Sequence, residues 1–259
     1  MHHNKIKVRT VTPMNYHIKS LCHQGAIRDN NEDAISYGTD EKTGVTWMVV
    51  ADGMGGHNAG EVASAMLVDH IKCAWDKISL TKQLDWPTWI TEQLNAANLA
   101  ILHSASNNSA QQGMGTTGVL IVIDNNECHI GWVGDSRAYT LINHKLVQET
   151  VDHTMIQELV NKGAITAETA KNANTKNLLS QAIGVREKIS VDTTTIAINN
   201  GDTIMLSTDG LHDYLTEHEI NQYLSEFSLD KDVCHDMLYR AMAKNSRDNV
   251  TLGLIYLTK

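Results

Sequence analysis

The chain has 259 residues, 42% of them apolar, and its 30 acidic residues outnumber the 21 Lys and Arg for a formal net charge of -9. That is enough apolar material for a sizeable core, and with no Lys/Arg-rich run the acidic balance excludes a phosphate-backbone footprint for nucleic acid. The longest apolar runs, WMVVA at 47–51 and VLIVI at 119–123, are too short to span a bilayer, and the opening MHHNKIKVRT lacks an apolar signal core, so a cytoplasmic protein is expected.

No Gly/Ser linker, repeat or low-complexity run divides the chain, which predicts a single domain over residues 1–259. Cys22, Cys73, Cys128 and Cys234 lie far apart with no C-x-x-C pair, so reduced structural thiols are expected in place of a zinc site or a disulfide frame.

In chain order, the first strand candidate is 44–51. Val62, Met66, Ile71, Trp75 and Ile78 then recur at near-helical spacing, as do Ile90, Leu94, Ala97 and Ile101 after Pro87. Residues 119–123 and 128–133 read as strands joined by a hairpin turn at 124–127, followed by strands at 138–142 and 202–207. Thr216 and Glu219 have the form of a capping box, Val233, Met237 and Ala241 form another helical stripe, and 249–257 is the last strand. Met66 and Met237 sit at core spacing and read as packing groups. Local hairpins indicate antiparallel pairing, because a parallel partner needs a long crossover.

Acids stand at the ends of these strands. In VVADGMGGH (49–57) the chain leaves an apolar run and presents Asp52 ahead of glycines that suit neither helix nor strand; TIMLSTDG presents Asp209 in the same way, and Asp248 in SRDNVTLGLI precedes a strand. In antiparallel neighbours the end of one strand adjoins the start of the next, so the three carboxylates are expected to meet at one edge of a sheet. Glycine after Asp52 and Asp209 is expected to let the backbone bend and leave its carbonyl reachable. A single Asp-Gly pair makes a turn, but three gathered carboxylates repel unless a cation neutralises them, and all-oxygen donors select hard ions such as Mg²⁺ or Mn²⁺. Arg28, in GAIRDNNEDAISYG ahead of Glu32 and Asp33, has a guanidinium suited to capturing a pair of phosphate oxygens beside such a cluster.

Seven stretches carry a family resemblance in order along the chain: GAIRDNNEDA (25–34), VVADGMGGHNAGEVAS (49–64), GMGTTGVLIV (113–122), GWVGDSRAY (131–139), DHTMIQELVNKGAI (152–165), STDGLHD (207–213) and SRDNVTLGLI (246–255). The sequence resembles the metal-dependent serine/threonine phosphoprotein phosphatases of the PP2C type, in particular the short bacterial members. The resemblance implies an α+β fold, a four-layer α/β/β/α sandwich of two face-to-face antiparallel sheets with helices outside. It implies that Asp52 bridges two Mn²⁺ or Mg²⁺ ions, the Gly53 carbonyl binding the first, with Asp209 and Asp248 completing the second. Glu32 and Asp33 would hold metal-bound waters, Arg28 would grip the substrate phosphate, and Asp135 would serve a third metal that shares Asp209.

The implied reaction is hydrolysis of phosphoserine or phosphothreonine by in-line attack of a metal-bridging water, with no covalent intermediate. The implied partners are phosphoproteins and a Hanks-type Ser/Thr kinase whose action is reversed; no nucleic acid or membrane partner is expected, and a monomer is the prior. Two positions depart from family patterns. Animal members have His after the Asp-Gly, where this chain has Met54, so His57, a water, or neither could act as general acid while His57 shapes a turn. In the flap, residues 173–177 replace a His-Pro-x-Arg-Asn pattern frequent in bacterial relatives. His153 is expected to be structural.

Two other function classes are open at this level. Gly134-Asp135-Ser136 with Asp209-Gly-Leu-His212 resembles a GDSL-type serine esterase with Ser136 as nucleophile and His212 as base, although Arg137 follows the serine and the other acids would have no role. A catalytically weak PP2C-like binding module would be expected to lack a metal carboxylate, and Asp52, Asp209 and Asp248 are all present.

Overall fold

The computed structural model describes residues 15–56, 59–80, 84–171, 178–226, 228 and 230–258. In chain order the elements are β1 (Asn15–His23), β2 (Asp33–Thr39), β3 (Thr46–Met54), α1 (Ala59–Asp76), α2 (Trp86–Asn107), β4 (Gly115–Thr116), β5 (Gly118–Asp124), β6 (Glu127–Val133), β7 (Arg137–Ile142), β8 (Lys145–Gln148), α3 (Met155–Asn161), α4 (Ala167–Lys171), β9 (Asp192–Ala197), β10 (Thr203–Ser207), α5 (Asp209–His212), α6 (Glu217–Ser225), α7 (Val233–Ala243) and β11 (Val250–Thr258).

The strands form two antiparallel sheets. One has the order β1-β11-β10-β7-β8; the other runs β2-β3-β5-β6-β9, with β4 paired to the end of β3. Continuous apolar runs in antiparallel strands make sense only where both faces are covered, and alternation along each strand shows how. On β3, Trp47, Val49 and Ala51 pack with Leu67, Ile71, Ile90 and Leu94 of α1 and α2. The intervening Met48 and Val50 join Val119, Ile121, Ile130, Ile204, Leu206 and Ile255 between the sheets. On β11, Val250, Leu252 and Leu254 turn outward to Ile220, Val233, Met237 and Ala241. Three cores, helix on sheet, sheet on sheet and sheet on helix, make the expected four layers.

The stripes of α2 and α7 fall where expected, while α1 ends at Asp76, short of Ile78, and buries Ala63, Leu67 and Ile71 with Val62, Met66 and Trp75 at the margin. Asp85 caps α2, its carboxylate accepting from the Thr88 N–H, with Pro87 in the first turn where no amide hydrogen is needed. Thr216 and Glu219 make a reciprocal capping box on α6. The hairpin between β5 and β6 closes with Asp124 opposite Glu127 and Asn125 at a φ of 54°.

Three expectations are corrected. The strand 44–51 continues through the acid and its glycine: β3 ends at Met54, with Gly53 opposite Thr116 and Met54 opposite Gly115 of β4. Elements with polar faces escape the apolar pattern, β1, β2, β8 and β9 among them; β9 has four exposed residues in six. Cys128 and Cys234 are buried, but Cys22 and Cys73 are exposed and do not pack in a core. Among the described residues no helix is long and apolar enough to cross a membrane.

Ile121 is fully buried at the middle of β5 on the sheet-to-sheet face. Ile121→Ala should therefore lower unfolding free energy by about 2–5 kcal/mol in urea titration, the range for opening a cavity in a packed core.

Candidate active site

Pairing of β2 with β3 sets Asp33 directly opposite Asp52. Side chains so placed are close neighbours, and like charges there oppose pairing. Asp209 opens α5 immediately after β10, and Asp248 stands two residues before β11. Since β10 and β11 are neighbours in the other sheet, the acids gather at the end of the sandwich across the two sheets, which corrects the single-edge expectation. Thr208 spans the junction: its hydroxyl donates to Asp33 Oδ2 at 2.9 Å, and the N–H of Thr251 donates to the same hydroxyl at 3.0 Å.

The electrostatics follow from this crowding. Burial raises the Asp33 carboxyl to about 7, helped by the charges of Asp209 and Asp248 and opposed by the hydrogen bond from the Thr208 hydroxyl. Asp52 is pushed well above the ordinary carboxylate range by burial and by Asp33, Asp209, Asp135 and Asp248. Asp135 is raised to about 8 by burial, then by Asp209 and Asp152. Acids that raise one another in this way form an all-oxygen donor set short of positive charge, which fits a hard divalent cation. Among the described residues, no three His, Cys, Asp or Glu side chains are yet drawn together as a ligand set. Asp248 is held instead by Arg28, whose Nη2 donates to Oδ2 at 2.7 Å. That pair is 48% and 34% exposed, so it contributes about 1 kcal/mol or less and yields readily to a stronger claimant.

The backbone around Asp52 is locked. Its N–H donates to the Thr117 hydroxyl at 3.0 Å, while its carbonyl accepts from the Thr117 N–H at 2.8 Å and the Thr116 hydroxyl at 2.9 Å. These two threonines in GMGTTG are functional in the sense of holding the acid, a role that the sequence reading did not give them. Gly53 has no positive φ; its part is close approach, because an added Cβ would stand 2.1 Å from the Gly60 carbonyl oxygen at the start of α1 and 2.6 Å from that of Glu32. The bend expected there is therefore a contact in which the strand end, the Glu32 backbone and α1 meet.

Glu32 itself lies at this contact, its carboxyl raised chiefly by burial, with Arg28 and the Gly60 N–H pulling it down. Asp135 and Asp209 border a cavity of about 680 Å³ whose wall includes Arg137, Asp152, His212 and Glu217. Arg137 is committed to Asp152, with Nε to Oδ1 at 2.9 Å and Nη2 to Oδ2 at 2.6 Å. His153 is structural, as expected: Nδ1 accepts from the Gly134 N–H at 3.2 Å and Nε2 faces Asp192 at 3.3 Å. The esterase geometry gains no support, because Ser136 is 1% exposed with its hydroxyl 2.7 Å from that of Thr117, and His212 Nδ1 lies 3.0 Å from the Ser207 hydroxyl. His57 and residues 173–177 lie outside the described residues.

A carboxyl that stays neutral to about pH 7 in the folded chain, and ionises near pH 4 when unfolded, costs stability as pH rises through that window. Asp33→Asn should accordingly raise Tm in chelator at pH 8 and change it little at pH 4, by scanning calorimetry. A lower Tm for the variant at pH 8 would mean that the charged carboxylate is stabilised after all.

The family model for protein phosphatase 2C matches residues 24–243. The serine/threonine phosphatase stp of Listeria monocytogenes is 35% identical over 240 residues, which cover 92% of this chain and 95% of that one. The crystal structure of the serine/threonine phosphatase Stp1 from Staphylococcus aureus superposes with a TM-score of 0.90 at 31% identity, over 97% of this chain and 99% of that one. The catalytic domain of the serine/threonine protein phosphatase PstP, solved in complex with two manganese ions, matches with a TM-score of 0.82 at 28% identity, over 95% of this chain and all of that one. With the family model matching most of its length and a relative 35% identical over nearly all of both chains, the chain belongs to the protein phosphatase 2C family.

Proposed function

We propose that this chain is a metal-dependent protein serine/threonine phosphatase, a single catalytic domain that works as a cytoplasmic monomer on phosphoproteins made by a Hanks-type Ser/Thr kinase. In this reading Asp52, the Gly53 carbonyl, Asp209 and Asp248 hold two Mn²⁺ or Mg²⁺ ions, Asp135 and Asp209 hold a third, and Glu32 and Asp33 border them through water. The observation that carries the proposal is the gathering of buried acids at one end of the sandwich, Asp33 opposite Asp52 across a strand pair and Asp209 near enough to raise Asp33, Asp52 and Asp135 after burial, beside a half-exposed guanidinium. The manganese in the PstP structure supports the choice of ion.

Divalent cations in this oxygen set supply the positive charge that lowers the pKa of water and offsets charge on phosphoryl oxygens. The chain's own groups do the rest. Arg28, exposed enough to meet solvent, presents a guanidinium fork to two phosphoryl oxygens and so orients phosphorus at the carboxylate cluster. Asp52, its backbone fixed by Thr116 and Thr117, keeps its place while charge shifts around it, which is the condition for electrostatic preorganisation. Glu32 and Asp33 would hold water at the site through hydrogen bonds. Met54 has no proton to give, so protonation of the departing seryl or threonyl oxygen falls to water or to His57.

Phosphate release from a phosphothreonine peptide tests this directly. Turnover should appear with Mn²⁺ and be abolished both by excess EDTA and by Asp209→Asn. Turnover that survives both changes overturns the metal-dependent reading, and none from folded, metal-loaded protein would make the chain a binding module.

A further inference from the structure

The loop 24–32 that carries Arg28 is tied to the start of β11 by one side chain, Asn249. Its Nδ2 donates to the carbonyls of Gln24 and Asn30, each at 2.8 Å, and its Oδ1 accepts from the Glu32 N–H at 2.9 Å. Both amide hydrogens and one acceptor position are thereby used, in a residue only 4% exposed. From inside the loop, Gln24 Nε2 donates to the Arg28 carbonyl at 2.7 Å. The same Asn249 gives its backbone N–H to Asp248 Oδ1 at 2.9 Å, so the loop and the carboxylate that pairs with Arg28 share one anchor. Below the loop, Gly25 at a φ of 80° rests on the Asp248 backbone, where an added Cβ would stand 2.2 Å from the carbonyl oxygen. Asn249 holds the loop at its first residue, at Asn30 and at its last.

We infer that Asn249 is a positioning residue for phosphate capture: its carboxamide sets where the loop holds the Arg28 guanidinium relative to the carboxylate cluster. The inference rests on the reading of Arg28 as the phosphate-binding group. An amide is needed because the loop offers two carbonyls and one N–H to the same side chain; an aliphatic residue would leave all three without partners, and a carboxylate would face two carbonyl oxygens. A small displacement of an orienting group costs much of its effect on binding and on rate.

The test uses the Mn²⁺-loaded protein and reads two affinities separately: Mn²⁺ by electron paramagnetic resonance, and inorganic phosphate by calorimetry and by competitive inhibition of p-nitrophenyl phosphate hydrolysis. Asn249→Ala should weaken phosphate binding roughly tenfold and raise KM more than it lowers kcat, while Mn²⁺ affinity stays within about twofold. Gln24→Ala, at an exposed site that leaves the fold intact, should act in the same direction by about threefold. The decisive arm is the cycle with Arg28→Ala: in that background Asn249→Ala and Gln24→Ala should add nothing to the loss of phosphate affinity. Additive losses, or a loss of Mn²⁺ affinity with phosphate binding intact, overturn the inference by assigning Asn249 to the metal ligands or to the fold alone. If Arg28→Ala by itself leaves phosphate affinity unchanged, the reading of Arg28 has failed and the inference goes with it.

Discussion

Like charges confined where water is scarce repel strongly, and the end of this sandwich confines at least Asp33, Asp52, Asp135 and Asp209. The rest of the structure can be read as the means of bearing that repulsion. Two sheets with fully buried interiors supply a frame stiff enough to hold Asp33 against Asp52 across a strand pair. Hydrogen bonds from Thr208 to Asp33, and between the Asp52 backbone and Thr116 and Thr117, keep the acids from relaxing apart. A site of this kind opposes stability locally in exchange for a strong field, a trade seen wherever binding groups are preorganised.

Placement between the two sheets has a further consequence. Each sheet contributes acids from its own strand ends, so neither sheet alone contains the cluster, and the sheet-to-sheet core is what brings the halves together. Residues buried between the sheets, Met48 and Ile255 among them, bear on the spacing of the carboxylates through packing. Glycine serves the same end at the strand terminus. Gly53 and Gly210 are small because backbone carbonyls of Gly60 and Asn249 lie where a side chain would begin.

Arg28 and Asp248 show how the site can remain poised. Their pair is short yet half in water, so it holds the guanidinium near the cluster without committing it. Fixed carbonyls and one buried carboxamide do the structural work beneath it, which leaves the charged end of the arginine free of any scaffolding duty.

Sequence by itself determined the chemistry and the broad architecture. Short β-branched runs and hairpin turns gave antiparallel strands, helical stripes gave candidate covers, and acids next to those strands called for a hard cation, because periodicity and side-chain chemistry are local properties. The seven ordered motifs carried the family. Tertiary structure decided what depends on residues distant in the chain: that the acids meet across two sheets, that β3 runs on through Gly53, that Asp33 faces Asp52, and that Thr116, Thr117 and Asn249 hold the machinery in place. None of these could be read from one segment, since a hydrogen bond between Asn249 and Asn30 exists only once β11 lies beside β1 and the loop folds over it.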